Sequence, residues 1–333
     1  MSNSRRIPVK ICGTGEALPE RVVYSTEIDK RENYRQGHTE KVTGIKSRYY
    51  ATEESASDMA VKAIEHALIN SQLGLEEIDC LIAASGTMEQ AIPCNGARIL
   101  AQLGTDRCIP AFDINMTCLS SLMSMDVAAS LLQTHAYKNI LVVSSDIASV
   151  GIDWRNIETG GIFGDGAAAY IVSRAESAQQ GIIASRFSTY KEGLDYCQIQ
   201  GGGSLNHPSK VAGDYQVYGQ FRMKGKEIYR LAAKLIPDFV NDLLESADLS
   251  IKNIDWVVPH QASALALKHI QKRLKIPADR MITIYPRRGN QIAVSIPATL
   301  HALIESYPIK RGDKILFLGT SAGMSIGATI LEY

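Results

Sequence analysis

An excess charge of either sign is missing from this chain of 333 residues: Lys plus Arg and Asp plus Glu each number 35, and the isoelectric point lies near 7.0. Such a balance gives no global pull toward nucleic acid or an anionic membrane, so a charged partner has to be met by a local patch. Long hydrophobic runs are missing too. No apolar stretch approaches the ~20 residues that span a bilayer, and the opening Met1-Ser-Asn-Ser-Arg-Arg-Ile-Pro has no apolar segment of the kind a signal peptide carries. A cytoplasmic protein, with no membrane and no nucleic-acid partner, is the expectation. Paired cysteines are also absent. Cys12, Cys80, Cys94, Cys108, Cys118 and Cys197 are scattered, with no Cys-x-x-Cys and no histidine cluster to complete a zinc site, so no metal is expected. Each cysteine is by default a small buried hydrophobe. Gly13-Thr-Gly15-Glu lacks the third glycine of a dinucleotide fingerprint, and no cofactor is expected there.

What is present is bulk and alternation. With 45% hydrophobic residues the chain can bury a substantial core, as one large domain or two tightly fused ones. Short β-rich runs at 9–12, 80–84, 111–113, 140–144, 167–172, 256–258, 281–284, 314–318 and 328–333 alternate with helical periodicity at 57–73, 97–103, 120–133, 226–247, 263–274 and 296–306. That order predicts a layered α/β architecture. Residues 198–218, with three consecutive glycines, read as a long excursion. A faint echo links Phe163-Gly-Asp-Gly-Ala-Ala-Ala-Tyr-Ile-Val with Leu318-Gly-Thr-Ser-Ala-Gly-Met-Ser-Ile-Gly-Ala-Thr-Ile-Leu. Each is a Gly-rich turn feeding a strand of small and β-branched residues, which points to a duplicated fold although such turns are common.

Three segments could carry chemistry. In Ala111-Phe-Asp-Ile-Asn-Met-Thr-Cys118-Leu-Ser-Ser a strand runs into a small-residue helix, with Cys118 at the junction. A thiol at a helix start faces free N–H groups and the positive dipole end, which favour thiolate; the alternative is a buried structural cysteine. Trp256-Val-Val-Pro-His260-Gln again delivers a polar side chain at a strand end, where a lone histidine is more often a capping or core residue. Arg287-Arg-Gly-Asn290 precedes a helix, and Asn290 alone reads as a cap or turn residue. Together they put a nucleophile and two hydrogen-bonding side chains at strand ends, where α/β folds build their sites.

With these segments, Gly44-Ile-Lys-Ser-Arg, Phe163-Gly-Asp-Gly-Ala, Val258-Pro-His260-Gln-Ala, Gly289-Asn290, Ser295-Ile-Pro297 and the closing Gly-rich strand occur in one order. In this the chain resembles β-ketoacyl-acyl-carrier-protein synthase III, of the thiolase-like condensing enzymes, over nearly its full length. The resemblance implies a thiolase fold, a five-layer αβαβα sandwich of two similar halves. Residues 1–175 would carry the nucleophile and 176–333 the histidine and asparagine, in an obligate homodimer. It implies that Cys118 is acylated by a thioester primer, an acyl-CoA or an acyl carrier protein, with the N–H groups of Cys118 and Gly323 holding the oxyanion. A malonyl-acyl carrier protein would then lose carbon dioxide, and its carbanion would attack the acyl-enzyme. His260 and Asn290 would donate to the thioester carbonyl meanwhile. The product would start fatty-acid or polyketide-type synthesis.

Departures from the family pattern concern the substrates. The stretch Gly37-His-Thr-Glu-Lys-Val-Thr-Gly-Ile45 lacks the tryptophan and arginine that clasp the coenzyme A adenine. A further family arginine falls at about Ile157 with Arg155 only nearby, and Leu265 stands where an arginine commonly contacts phosphate. Weak or differently placed coenzyme A binding is therefore expected. In the acyl pocket, Ile92 of Glu89-Gln-Ala-Ile92-Pro93 takes the gate position often held by phenylalanine, and Leu119-Ser120-Ser121 replaces an aromatic-containing Ala-Gly-Phe. These smaller groups should widen or polarise the pocket, and position 92 lacks the glutamate of head-to-head, non-decarboxylating condensers. Lys268, Lys272 and Arg273 fall on one helix, with Lys268 and Lys272 one turn apart, and Lys272 and Arg273 match the family's carrier-docking positions. Two other readings are acyl transfer to oxygen or nitrogen without decarboxylation, and a non-catalytic partner subunit of a heteromeric synthase. Only decarboxylation needs both His260 and Asn290, and an intact trio disfavours the inert partner.

Overall fold

The structure is a computed structural model describing residues 6–333; of the opening stretch read for a targeting signal, residues 1–5 lie outside it. From the start, β1 (Val9–Ala17) leads to a ribbon of β2 (Arg21–Tyr24) and β3 (Ser47–Tyr50), between whose strands lie α1 (Ser25–Arg31) and α2 (His38–Thr43). Then follow α3 (Ala56–Ser71), β4 (Cys80–Ala83), α4 (Asn95–Gln102), β5 (Ala111–Asp113), α5 (Ser120–Leu132), β6 (Asn139–Asp146), α6 (Ile157–Gly160) and β7 (Gly166–Arg174). Next come β8 (Gly181–Thr189), a ribbon of β9 (Cys197–Ile199) and β10 (Phe221–Met223) enclosing α7 (Gln216–Gly219), α8 (Gly225–Ser246), β11 (Trp256–Pro259) and α9 (Ala264–Leu274). The chain ends through α10 (Tyr285–Arg288), α11 (Ser295–Ser306), β12 (Lys314–Ser321) and β13 (Ser325–Glu332).

Two sheets repeat one plan. The first has the order β1-β7-β6-β4-β5, and the second, read in the same direction, β8-β13-β12-β11. In each, the strand after a Gly-rich turn (β7, β13) runs antiparallel to both neighbours. The counterpart of β5 is reduced to one parallel bridge between Val257 and Met281. Residues 281–284, expected as a strand, therefore form none: Tyr285 starts α10, and the backbone N–H groups of Ile284 and Tyr285 bond the Gln261 side chain instead of a ladder. The sequence reading also missed β8, whose apolar part, Ile182 to Ala184, is short and whose remainder is half-exposed at a sheet edge.

Alternation along the strands sorts the core into layers. On β7, Ala167, Ala169 and Ile171 pack with Met59, Ala63 and Ala67 of α3, while Tyr170 and Val172 turn to the other face, against Leu122 and Met125 of α5 and Leu300 and Leu303 of α11. On β12, Phe317 joins that same inner core, and Leu316 and Leu318 face Phe239 and Val240 of α8 and Leu267 of α9. The order is α3 and α4, sheet, α5 and α11, sheet, α8 and α9: the five-layer αβαβα sandwich of the thiolase fold. Helices α5 and α11 lie between two sheets, so they bury residues all round and use serine and alanine where a surface helix would carry charge. No helix among the described residues is long and apolar enough to cross a membrane.

The Gly13-Thr-Gly15 pair owes its composition to this packing. A Cβ on Gly15 would lie 2.3 Å from the Ala63 carbonyl oxygen and 2.4 Å from the Ala67 nitrogen, so β1 touches the α3 backbone directly. Gly15→Ala must push helix from strand and should lower stability by about 1–3 kcal/mol, read as a fall in the unfolding midpoint. Gly203→Ala, where a Cβ meets nothing within 4 Å, should change it by about 1 kcal/mol or less. Equal midpoints for the two variants would refute the close-approach account.

Candidate active site

After β5 the chain makes a single 3-10 turn, Thr117–Leu119, before α5 begins at Ser120. Thr117 is left-handed, with φ 47°. A β-branched residue there stores about 1–3 kcal/mol of strain and persists only where its surroundings over-determine it. Ser120 closes the turn, its Oγ accepting from the Met116 N–H at 2.9 Å and donating to the Thr117 carbonyl at 2.7 Å. Cys118 thus sits one turn ahead of the helix. The expected thiolate is not found: burial, then the Asp146 carboxylate, push the thiol up to about 12, against the N–H groups of Ala322 and of Cys118 itself. Desolvation of an anion outweighs the helix-end field, which decays within one turn. The N–H of Ala322 acts on the sulfur as a lowering influence, and Gly323 beside it makes the left-handed bend (φ 77°) between β12 and β13.

His260 follows β11, which is pinned between β12 and Met281, and its backbone N–H donates to the Leu318 carbonyl at 2.8 Å. Only 5% of the residue is exposed, and burial pulls the imidazole down to about 4. Its Nδ1 is buried without a protein partner, so no carboxylate backs the ring. Asn290, 7% exposed, is held by its main chain to the Phe163-Gly-Asp-Gly turn: its N–H donates to Ile162 at 2.7 Å and its carbonyl accepts from Gly164 at 3.1 Å. A Cβ on Gly164 would sit 2.0 Å from the Arg288 carbonyl oxygen, which accounts for glycine in that turn. The Asn290 side chain accepts from the Ile292 N–H at 2.9 Å and spends one of its two N–H bonds on the Ala262 carbonyl at 3.3 Å.

The turn after Asn290 repeats the Cys118 turn. Ile292 is left-handed (φ 51°) at the head of a 3-10 turn, Ile292–Val294, that precedes α11, and Ser295 Oγ accepts from the Gln291 N–H at 3.2 Å as Ser120 does from Met116. The two turns touch. A Cβ on Gly319 would lie 2.9 Å from both His260 Cβ and Leu119 Cδ2, which sets the histidine beside the nucleophile turn. With the Asn290 bond to Ala262, three segments far apart in sequence converge where the two sheets' strand ends meet.

The remaining expected residues lie further out. Leu119 is fully buried between Gly319 and Gly327, beneath the nucleophile in the inter-sheet core. Ile92 is 85% exposed on the loop before α4, so it lines no cavity of its own chain. Lys268, Lys272 and Arg273 are exposed on α9. Arg155 pairs with Asp153 at 2.8 Å on the surface. Asp146, Ala322 and Cys197 were missed. Asp146 ends β6 fully buried, and Cys197 of β9 is pushed up to about 12 by burial and then by Cys118, which places it near the sulfur. The one available signal was position: Asp146 ends a strand, as His260 follows one. Among the described residues no group of three or more His, Cys, Asp or Glu is placed to hold a metal ion.

Comparison with known proteins agrees with this geometry. The family model described as 3-Oxoacyl-[acyl-carrier-protein (ACP)] synthase III matches residues 112–191, and that of its C terminal part matches residues 244–333. Beta-ketoacyl-[acyl-carrier-protein] synthase III of Erythrobacter litoralis is 32% identical, covering 98% of this chain and all of the relative, and that of Aquifex aeolicus is 32% identical over 97% and 99%. The crystal structure of the Aquifex aeolicus VF5 enzyme superposes with a TM-score of 0.87 at 30% identity, covering 98% of this chain and 100% of that one. The priming β-ketosynthase of the R1128 polyketide pathway gives 0.88 at 25%, covering 98% and 96%, and Xanthomonas campestris OleA shares the fold at 22%. From its strand-end trio to its full-length likeness, the chain belongs to the 3-oxoacyl-[acyl-carrier-protein] synthase III family.

Proposed function

We propose that this protein is a condensing acyltransferase in which Cys118 takes an acyl group from a thioester and passes it to a decarboxylated malonyl thioester. The observation that carries the reading is the convergence of a half-buried cysteine, a neutral imidazole and a carboxamide at one point. Its sulfur is a thiol at rest, so the proton leaves during attack, with neutral His260 as the base. The Sγ–acyl bond forms, the bond to the carrier sulfur breaks, and the carrier departs as a thiol with that proton. The Cys118 N–H and, as the family likeness implies, that of Gly323 are suited to hold the oxyanion.

In the second step the malonyl carboxylate leaves as carbon dioxide and its electron pair enters the thioester enolate. Stabilising that enolate needs donors rather than a cation. A histidine held near 4 is neutral throughout the physiological range, and Asn290 keeps one N–H uncommitted. The enolate carbon then attacks the Cys118 thioester, the bond from the acyl carbon to Sγ breaks to release the β-ketoacyl product, and the sulfur takes a proton from water. Acyl transfer to oxygen or nitrogen would leave the enolate donors without a task.

The substrates follow from the exposed parts. α9 offers Lys268, Lys272 and Arg273 to an acidic carrier protein. The loop at 37–45 has no tryptophan or arginine to clasp an adenine, which favours a carrier-bound primer over coenzyme A. β5 ends its sheet with one edge open among the described residues, and Met88 and Ile92 project from the loop before α4, a surface fitted to a second copy whose acyl pocket Ile92 would close.

Intact-protein mass after incubation with acyl-carrier and acyl-CoA thioesters should show an acyl adduct that Cys118→Ala abolishes and malonyl-carrier thioester removes with release of carbon dioxide. An adduct that malonyl thioester leaves in place would favour simple transfer. Asn290→Ala should acylate yet lose about 10²–10³ in condensation rate, and His260→Ala should slow acylation as well as condensation, since it serves as base in the first step and donor in the second. Because the free thiol is raised, alkylation by iodoacetamide should climb about tenfold per pH unit through neutrality with no plateau near pH 7, while decarboxylation by acylated enzyme stays flat as long as His260 is neutral, above about pH 5. Lys272→Glu with Arg273→Glu should raise the KM for carrier-bound substrates about tenfold or more and spare small thioesters, since opposed charge replaces attraction at the docking face.

A further inference from the structure

Asp146 is the one fully buried carboxylate beside the nucleophile to which the reaction just described gives no task. Its Oδ1 accepts from the Gly86 N–H at 2.9 Å, the Thr87 N–H at 2.7 Å and the Thr87 hydroxyl at 2.7 Å, and its Oδ2 accepts from the Ala293 N–H at 3.1 Å. Every donor is neutral. Among the described residues no Lys, Arg or His forms an ion pair with it; burial raises the carboxyl to about 6 against these four hydrogen bonds, which leaves it ionised at neutral pH.

The places those bonds reach are what matter. Gly86 is wedged between the two active-site turns: a Cβ there would lie 2.4 Å from Ile292 Cγ2 and 3.4 Å from the Thr117 carbonyl carbon. Thr117 precedes the nucleophile, and Ala293 follows Ile292, whose N–H holds the Asn290 side chain. Both Thr117 and Ile292 are β-branched residues in the left-handed region, a conformation each would leave if released. One oxygen therefore anchors the wedge that abuts both turns, and the other anchors the Asn290 turn directly.

We propose that Asp146 is a positioning residue that locks the Cys118 turn and the Asn290 turn in register, so that acyl group and enolate meet at the required distance. This rests on the condensing reading of the site. A loss of register of even an ångström between two reacting carbons costs about a hundredfold in rate, so the bridge would show most in the condensation step. The same charge acts on the sulfur, and it is the second cause, after burial, of the raised thiol. The other titratable groups round the sulfur are His260 after β11 and Cys197 on β9, both uncharged near neutral pH. Asp146 is thus the resident charge that the nucleophile feels.

Asp146→Asn preserves size and removes the charge, and its amide nitrogen cannot accept from Ala293. Condensation should fall tenfold or more while acylation changes less than about threefold, and the pH dependence of iodoacetamide alkylation of Cys118 should move to lower pH by about one unit. A variant loosened in structure alone would slow acylation along with condensation, and that result, or condensation at the wild-type rate, overturns the proposal. Should Asp146→Asn not fold, Thr87→Val removes one donor and keeps the charge: condensation reduced severalfold with an unmoved alkylation profile supports the bridge, and unchanged condensation refutes it. The alkylation arm needs no substrate. A wild-type protein that alkylates as described but never condenses would sink the assigned function and leave the electrostatic coupling standing.

Discussion

Two strained turns meeting at the seam between two sheets are the constraint on which this site depends. Thr117 and Ile292 adopt the same disfavoured backbone, each at the head of a 3-10 turn closed by a serine three residues on, and each delivers a central helix of the sandwich. Neither turn is stable through its own residues. The burial of α5 and α11 between two sheets holds them, because a core packed on both sides leaves no room for the backbone to relax. A duplicated fold thus generates two similar turns and sets them face to face. One carries Cys118, and the other follows Asn290.

That seam also governs the electrostatics. Removing a thiol and an imidazole from water penalises their charged forms, and nothing nearby compensates with the opposite sign: the Asp146 carboxylate, itself raised to about 6 by burial, raises the thiol further. The resting pair is neutral on both sides. A neutral thiol resists adventitious oxidation and alkylation, and a neutral imidazole can donate a hydrogen bond to a developing enolate. The same desolvation that costs the nucleophile its ready-made charge supplies the donor that the second half of the reaction requires.

Much of the fold was legible in the chain itself. The helices expected at 57–73, 97–103, 120–133, 226–247, 263–274 and 296–306 all lie within two residues of those observed, since an apolar stripe repeats with the turn of the helix wherever one face is buried. The strand at 80–84 was equally plain because both of its faces are covered, and the half-buried edge strand at 111–113 was marked by its short apolar run. Residues 281–284 misled for the same reason. Met-Ile-Thr-Ile has strand composition, but Gln261 takes the N–H groups of Ile284 and Tyr285, and a side chain from 23 positions away cannot be read from local pattern. β8 escaped because an edge strand buries too little to leave a clear alternation.

For the site, local pattern singled out Cys118 and His260 as polar residues where a strand gives way to a turn, whereas Asn290, which follows α10, took its expected role from the likeness to the synthase family. The protonation of the thiol, the influence of Ala322 on the sulfur, and the part of Asp146 came only with the folded chain. Those properties depend on desolvation and on groups 28 to more than 200 positions away along the chain. A helix-end dipole is a local property and can be inferred from neighbours, whereas the water excluded from a sulfur is decided by every segment that packs around it.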